Sequence, residues 1–290
     1  MAENEKQSRK LSRKISAVTL AGALSVCCSM PALTADAADI KPIKGTIPVT
    51  KEAVGWYTTE KMDNSKYTLY AIKVPESGVL SVSPISASAA DGTKLPTRMK
   101  LYNSSKVSIA DSKDGVLINN SGYKDGTEYP QMYGVKRGTY YLGFKPKGNL
   151  LALGIDYTPV SMPKNTKKSK ATVLKKGGKY KMKLFAAGSV KSHWFKVKQK
   201  KTGKLKFTIN AGGMMDGGNA SSGKSKGLKV QVYCGSKKVG KTQTLNKGYK
   251  STFTVTYRAK KGKARKGTYY LKVTNANKYA NGVYQIKVNK

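Results

Sequence analysis

Gly267, Thr268, Tyr269, Tyr270, Leu271, Lys272 and Val273 decide the fold, because Gly138, Thr139, Tyr140, Tyr141 and Leu142 say almost the same thing earlier in the chain. A turn glycine followed by Thr, two Tyr and alternating apolar residues reads as a strand entering a sheet. The surroundings repeat as well. His193 to Val197 matches Thr68 to Ile72, Gly203 matches Gly78, Leu205 to Ile209 matches Leu80 to Pro84, and Lys229 to Tyr233 matches Arg98 to Tyr102. The offset stays between 125 and 131 throughout. An equivalence of that extent marks a duplicated domain, not one shared motif.

Outside the N-terminal segment, apolar residues never keep the three-and-four spacing of a helix. Strand-length runs are instead separated by Gly, Asn, Ser or Lys turns about every ten residues, which predicts an all-β protein of two tandem antiparallel β-sandwiches. A closed barrel shares this pattern. Asp39 to Thr50, with Pro42 and Pro48, reads as an extended arm. Pro159 to Lys170 is polar, holds two prolines and reads as a linker. The expected organisation is therefore residues 1–37, 38–163 and 164–290.

Three strand motifs carry a family resemblance. They are Lys66 to Ile72 with His193 to Val197, Met99 to Tyr102 with Val230 to Tyr233, and the two Gly-Thr-Tyr-Tyr-Leu stretches. With them each copy resembles the bacterial pre-peptidase C-terminal domain, including the collagen-binding modules of secreted clostridial collagenases. The resemblance implies a jelly-roll-like β-sandwich and a noncatalytic role in attaching secreted proteins to substrates or surfaces. Some members of that family bind calcium through an acidic N-terminal segment. Here the corresponding Lys164 to Lys183 has no carboxylate, and Asp39, Glu52 and Asp63 in the first copy are scattered. Hard cations need oxygen ligands, so no metal and no other cofactor is expected.

The N-terminus predicts export. Lys6, Arg9, Lys10, Arg13 and Lys14 precede the apolar run from Ile15 to Met30, and Ala35, Asp36 and Ala37 supply small residues for cleavage after Ala37. Two of the three cysteines lie in that leader, which leaves Cys234 alone and the fold dependent on packing. The protein is thus expected to be secreted, extracellular or associated with a bacterial cell wall, with no membrane span after processing.

Charge supplies the functional signal. The 290 residues carry 55 Lys and Arg against 15 Asp and Glu, a formal net charge of +40. Ala38 to Pro163 holds 16 basic and 11 acidic residues, whereas Lys164 to Lys290 holds 34 basic residues and one acid, Asp216. Such a surplus repels itself and attracts polyanions. Almost all of these charges are lysines, mobile point charges suited to diffuse adhesion more than to bidentate reading of one defined group. The densest clusters are Lys198, Lys200, Lys201 and Lys204 beside the Gly203 turn, and Lys260, Lys261, Lys263, Arg265 and Lys266 before the Gly267 turn. They are the expected polyanion-binding residues, with Trp56, Tyr57 and Tyr270 as candidate aromatic contacts. Of the adjacent Tyr269 and Tyr270, one should face inward and the other outward.

Catalytic constellations do not assemble. Gly218 to Ser225 has the spacing of a phosphate-binding loop, but strand-like Leu228 to Tyr233 follows where that motif needs a helix. His193, the only histidine, has no assignable nucleophile or orienting carboxylate. Asp111, Asp114, Asp125 and Glu128 stand beside Gly and Ser and read as turn residues. The expectation is a nonenzymatic binding or adhesion protein whose partner is an anionic polymer, such as teichoic acid or a sulfated or sialylated glycan, or an extracellular matrix protein. Two alternatives stay open: an accessory or targeting subunit of a secreted peptidase, and extracellular nucleic-acid binding.

Overall fold

A computed structural model describes residues 41–49, 55–60, 65–86, 97–110, 116–118, 131–146, 151–215, 226–246, 250–255, 257 and 262–290. Residues 1–37, expected to be a leader, lie outside them. Among the described residues no helix is long and apolar enough to cross a membrane, and the only helical segment is a short 3-10 turn, Lys168–Lys170. The rest is strand and connection.

The N-terminal half holds β1 (Lys41–Pro42), β2 (Ile47–Pro48), β3 (Gly55–Thr58), β4 (Thr68–Val74) and β5 (Gly78–Ser86). It continues with β6 (Thr97–Tyr102), β7 (Val116–Ile118), β8 (Gln131–Val135), β9 (Gly138–Pro146) and β10 (Leu151–Pro159). The C-terminal half opens with β11 (Thr172–Val173), β12 (Lys181–Phe185), β13 (Ser192–Gln199), β14 (Gly203–Lys204), β15 (Lys206–Met215) and β16 (Lys226–Cys234). It closes with β17 (Lys237–Asn246), β18 (Lys250–Thr254), β19 (Lys263–Ala264), β20 (Gly267–Asn275) and β21 (Asn281–Val288).

Each half pairs its strands in one order. The sheet β2-β4-β9-β6-β7 is mirrored in sequence by β11-β13-β20-β16-β17, and β3-β10-β5-β8 by β12-β21-β15-β18, with β1 added on the edge beside β3. Register repeats to the residue. Val74 faces Gly138 as Gln199 faces Gly267, and Tyr102 faces Tyr141 as Tyr233 faces Tyr270. Gly138 and Gly267 take φ of 152° and 156°, a conformation that strains a residue with a Cβ. That strain explains why the repeated motif opens on glycine.

The halves bury their cores in the same way. In the first, Ile72, Met99, Leu142 and Phe144 of one sheet meet Leu80, Val82, Leu153 and Ile155 of the other. In the second, Phe195, Val230, Leu271 and Val273 meet Phe207, Ile209, Tyr284 and Ile286. Two sheets face to face around one apolar layer make a sandwich and not a closed barrel. Each fully buried side chain of this size contributes about 1.5–3 kcal/mol. Alternation supplies these residues: β13 reads exposed-side Trp194, Lys196 and Lys198 against inward His193, Phe195 and Val197.

The arm and the linker are more engaged than their composition predicts. Lys41–Pro42 pairs in parallel with β3, and Ile47–Pro48 with β4, so the arm adds an edge to both sheets. Prolines fit there because an edge strand can leave one side unpaired. In the linker, Val160 is buried with Val79, Leu184 and Val283. Its amide donates to the Ser77 carbonyl at 2.9 Å. Asn165 clasps Trp194 from both sides, its Nδ2 donating to the Trp194 carbonyl and its own carbonyl accepting from the Trp194 amide, each at 2.7 Å. What reads as a polar tether is packed against both halves.

Gly134 in β8 packs backbone to backbone at this junction. Its amide donates to Asn281 Oδ1 at 2.7 Å, and its carbonyl accepts from the Ala187 amide at 2.8 Å. Asn281 is fully buried, and its Nδ2 donates back to the Tyr279 carbonyl. A Cβ at residue 134 would fall on the Phe185 carbonyl oxygen and come within 2.7 Å of the Gly282 nitrogen, both backbone atoms. Gly134→Ala should therefore lower stability by about 1–3 kcal/mol through overpacking. Asn281→Ala should lose a comparable amount by orphaning a buried amide. Urea unfolding of the two variants beside wild type is the check.

Candidate functional site

The two lysine clusters come together. β14 and β19 form a two-stranded antiparallel ladder that pairs Gly203 with Ala264 and Lys204 with Lys263. Residues 198–204 and 263–266 thereby occupy one end of the second sandwich, with Lys198 opposite Thr268 on the adjoining ladder of β13 and β20. Lys198, Lys200, Lys201, Lys204, Lys263, Arg265 and Lys266 are all exposed. Lys176 joins them, its Nζ donating to the Lys204 carbonyl at 3.1 Å. Lys260 and Lys261 lie outside the described residues.

This arrangement is electrostatically costly. Like charges directly opposite on a ladder destabilise it by a few tenths of a kcal/mol or more. Lys164 to Lys290 contains no acid except Asp216, which lies outside the described residues. Buried anchors fix the end all the same. Leu205 and Ala264 are fully buried on either side of the ladder, and the Tyr269 hydroxyl donates to the Arg265 carbonyl at 3.1 Å. Burial pushes the Tyr269 phenol up to about 12, helped by its neighbour Cys234. Cys234 itself is half-buried against the core.

The aromatic candidates separate. Tyr269 is 0% exposed, whereas Tyr270 is half-exposed on the outer face of its sheet. Tyr57 does not serve as an exposed contact: it is buried in the first core, and its hydroxyl donates to the Pro48 carbonyl at 3.1 Å. The reason is its parity in β3, where it pairs with the core residue Leu153. Trp56 pairs with Gly154 in the same strand, and its side chain lies outside the described residues.

Sequence reasoning missed the neighbours of Tyr270. Trp194 and Tyr233 lie beside it on the outer face, their ring centroids 5.4 Å apart and their planes inclined by 38°. The Lys168 ammonium stands 4.7 Å from the Tyr270 ring and 5.7 Å from Tyr233, anchored by a 2.6 Å bond to the Gly235 carbonyl. The Lys272 ammonium stands 5.8 Å from Trp194. Alternation along β13 places Trp194, Lys196 and Lys198 on one face and was a usable signal; the cross-strand register that adds Tyr233 was not.

Of the remaining candidates, only His193 falls within the described residues. Gly218 to Ser225, Asp111, Asp114, Asp125, Glu128, Asp39, Glu52 and Asp63 lie outside the described residues. Beyond the glycine-rich stretch the chain enters strand β16, not the helix that a phosphate-binding loop uses. His193 is a core residue. Its ring stacks on Phe185 at 4.0 Å, and Nδ1 lies 2.9 Å from the Tyr284 hydroxyl. Burial, reinforced by the Lys183 ammonium, pushes the imidazole down to about 3.

No family model matches the chain, and no curated protein matches it. Among solved structures it is similar to the tandem CBM22-1-CBM22-2 domain of Xyn10C from Paenibacillus barcinonensis, at 11% identity over 75% of this chain and 81% of that one, with a TM-score of 0.23. It is similar to the CUB1-EGF-CUB2 domains of rat MASP-1, at 8% identity over 83% and 99% of the two chains, with a TM-score of 0.22. A structure of allantoicase gives 10% identity over 76% and 77%, with a TM-score of 0.23.

His193 sets a pH response. The folded imidazole titrates near 3 and the unfolded one near 6.5, so between these values the unfolded chain binds one more proton. Stability from this group is therefore full above about pH 6.5 and falls on acidification, by at most about 1.4 kcal/mol per pH unit. His193→Phe should flatten the fall in melting temperature between pH 6.5 and 4 relative to wild type.

Proposed function

We propose that this chain is a secreted, noncatalytic adhesion protein of a bacterium that attaches to an anionic surface polymer through the cationic end of its C-terminal half. In this reading residues 1–37 are a leader, and residues 38–163 and 164–290 are two sandwich domains of pre-peptidase C-terminal type. One observation carries the proposal: the β14–β19 ladder gathers exposed lysines from two separate segments and sets Lys204 opposite Lys263, in a half with 34 basic residues and one acid. A polyanion lowers this repulsion, and binding gains from the counterions it releases.

The N-terminal half, closer to charge balance, would serve as a fixed mount through the contacts at Gly134 and Asn281. Wall teichoic acid and sulfated glycans share the required chemistry, a flexible chain of closely spaced anions.

Retention on teichoic-acid-bearing cell walls over a salt series tests the proposal. The variant combining Lys200→Gln, Lys201→Gln, Lys204→Gln and Lys263→Gln should elute at lower salt. Its log affinity should depend less steeply on log salt, by about 0.7–0.9 for each lysine that touched the polymer. A control with Lys44→Gln, Lys73→Gln, Lys136→Gln and Arg137→Gln removes as many exposed cations from the other half and should stay close to wild type. Equal losses in the two variants would overturn the assignment of binding to this end.

A further inference from the structure

The outer face of β13, β20 and β16 rearranges the rings and cations of its counterpart in the first half, where Tyr67 meets Tyr102 at 6.4 Å between ring centroids and the Lys100 ammonium stands 5.0 Å from Tyr67. Register makes Leu69, Ala71 and Gly143 equivalent to Trp194, Lys196 and Lys272, while the tyrosine pair is kept as Tyr102 with Tyr141 and Tyr233 with Tyr270. In the first half the Tyr102 ring lies over Gly143, where a Cβ would come within 2.5 Å of it. In the second half a lysine fills that position and an indole stands beside the tyrosines. Outward residues do not touch the core, so packing demands none of these differences.

The result is a cluster of aromatic rings interleaved with ammonium groups. Trp194 and Tyr233 are in ring contact, Tyr270 pairs with Tyr233 across the ladder, the Lys168 ammonium stands over the Tyr270 and Tyr233 rings, and the Lys272 ammonium stands over Trp194. The cluster runs without interruption into the lysine end. Trp194, Lys196 and Lys198 alternate along one strand face, and four residues of strand cover only about 13 Å.

We propose that this face is a stacking shelf for the sugar rings of an anionic polysaccharide, whose acidic substituents are taken by the interleaved lysines and by the adjoining cationic end. The inference rests on the polyanion reading above and narrows it to a polymer built of rings. Aromatic faces carry negative quadrupole charge and attract the weakly positive C–H faces of a pyranose. The rings already touch one another, inclined by 38°, so no slot opens between them for a nucleobase to enter. A shallow shelf takes a sugar face laid across it. Arginine, whose planar group suits phosphate and base edges, is absent from β13, β20 and β16.

Trp194 reports on its own site. The chain has two tryptophans, and Trp56→Phe leaves Trp194 as the sole indole in an otherwise full-length protein. A size-defined heparin oligosaccharide should shift Trp194 emission at saturation, whereas inorganic polyphosphate, a polyanion without rings, should bind with similar salt dependence and leave the emission unchanged. Tyr233→Ala should weaken the heparin oligosaccharide by between about twofold and tenfold without altering the salt slope. The emission measurement needs no substitution on the shelf, so it stands even if that variant folds poorly.

Heparin binding with unmoved Trp194 emission would overturn the shelf and leave polyanion adhesion intact. An equal shift with polyphosphate would show that anions alone perturb the face, and an equal shift with an oligothymidylate would assign it to nucleic acid; either overturns the proposal. Absence of binding by both heparin and polyphosphate would remove the adhesion reading and this inference together.

Discussion

The two-residue alternation of the strand is the constraint on which the rest of this structure depends. A half with 34 basic residues and one acid folds only if no ammonium has to enter the core, because an unpaired buried charge costs several kcal/mol. Strand β13 meets that demand by placing Phe195 and Val197 inward and Lys196 and Lys198 outward. Strand β20 does the same with Leu271 and Val273 against Lys272. Even Lys183, the lysine whose ammonium burial and Lys181 weaken most clearly, is only half-buried. Charge is thus forced onto sheet faces and turns, and its surface density follows from the sorting.

That sorting also explains what could be read from the chain. The repeat, the strand equivalences and the division of Tyr269 from Tyr270 were legible because each is a matter of period and offset, which register then reproduces. Partner choice between two-residue strands was not legible. Nothing in Gly203–Lys204 or Lys263–Ala264 specifies pairing, and the ladder forms because Leu205 and Ala264 are drawn into the same core. Tyr57 was misjudged for a related reason: β3 shares no sequence motif with its counterpart β12, and so short a strand gave no flanking pattern from which to infer which face was inward. The linker misled through its composition, since a single Val160 and a single Asn165 dock a segment that is otherwise polar.

The buried histidine belongs to the same logic from the opposite side. Thr68 of the first half is half-exposed, whereas its counterpart His193 is buried and stacked on Phe185. A ring with two nitrogens is accepted there only in its neutral form, with the Tyr284 hydroxyl as partner. Its chemistry is consumed in packing, and the Lys183 ammonium reinforces that neutrality. A lone histidine in a sheet protein is therefore no sign of catalysis, because the environment that makes it conspicuous also disables it as a base near neutral pH.

Duplication separates what the fold requires from what it merely permits. Inward positions at the middle of the strands stay apolar in both halves: Ile72 and Val197, Met99 and Val230, Leu142 and Leu271, Phe144 and Val273. Positions that face outward have moved apart, Leu69 against Trp194, Ala71 against Lys196, Gly143 against Lys272. The exchange also runs the other way, since Tyr67 and Lys100 of the first half stand where Ser192 and Gln231 stand in the second, so each copy carries its own arrangement of rings and cations. The tyrosine pair persists beneath them because it fills the same cross-strand site in both copies. One scaffold thus holds two faces of different chemistry, and the difference lies in residues that the cores never touch, which is where a binding specificity can change without disturbing the fold.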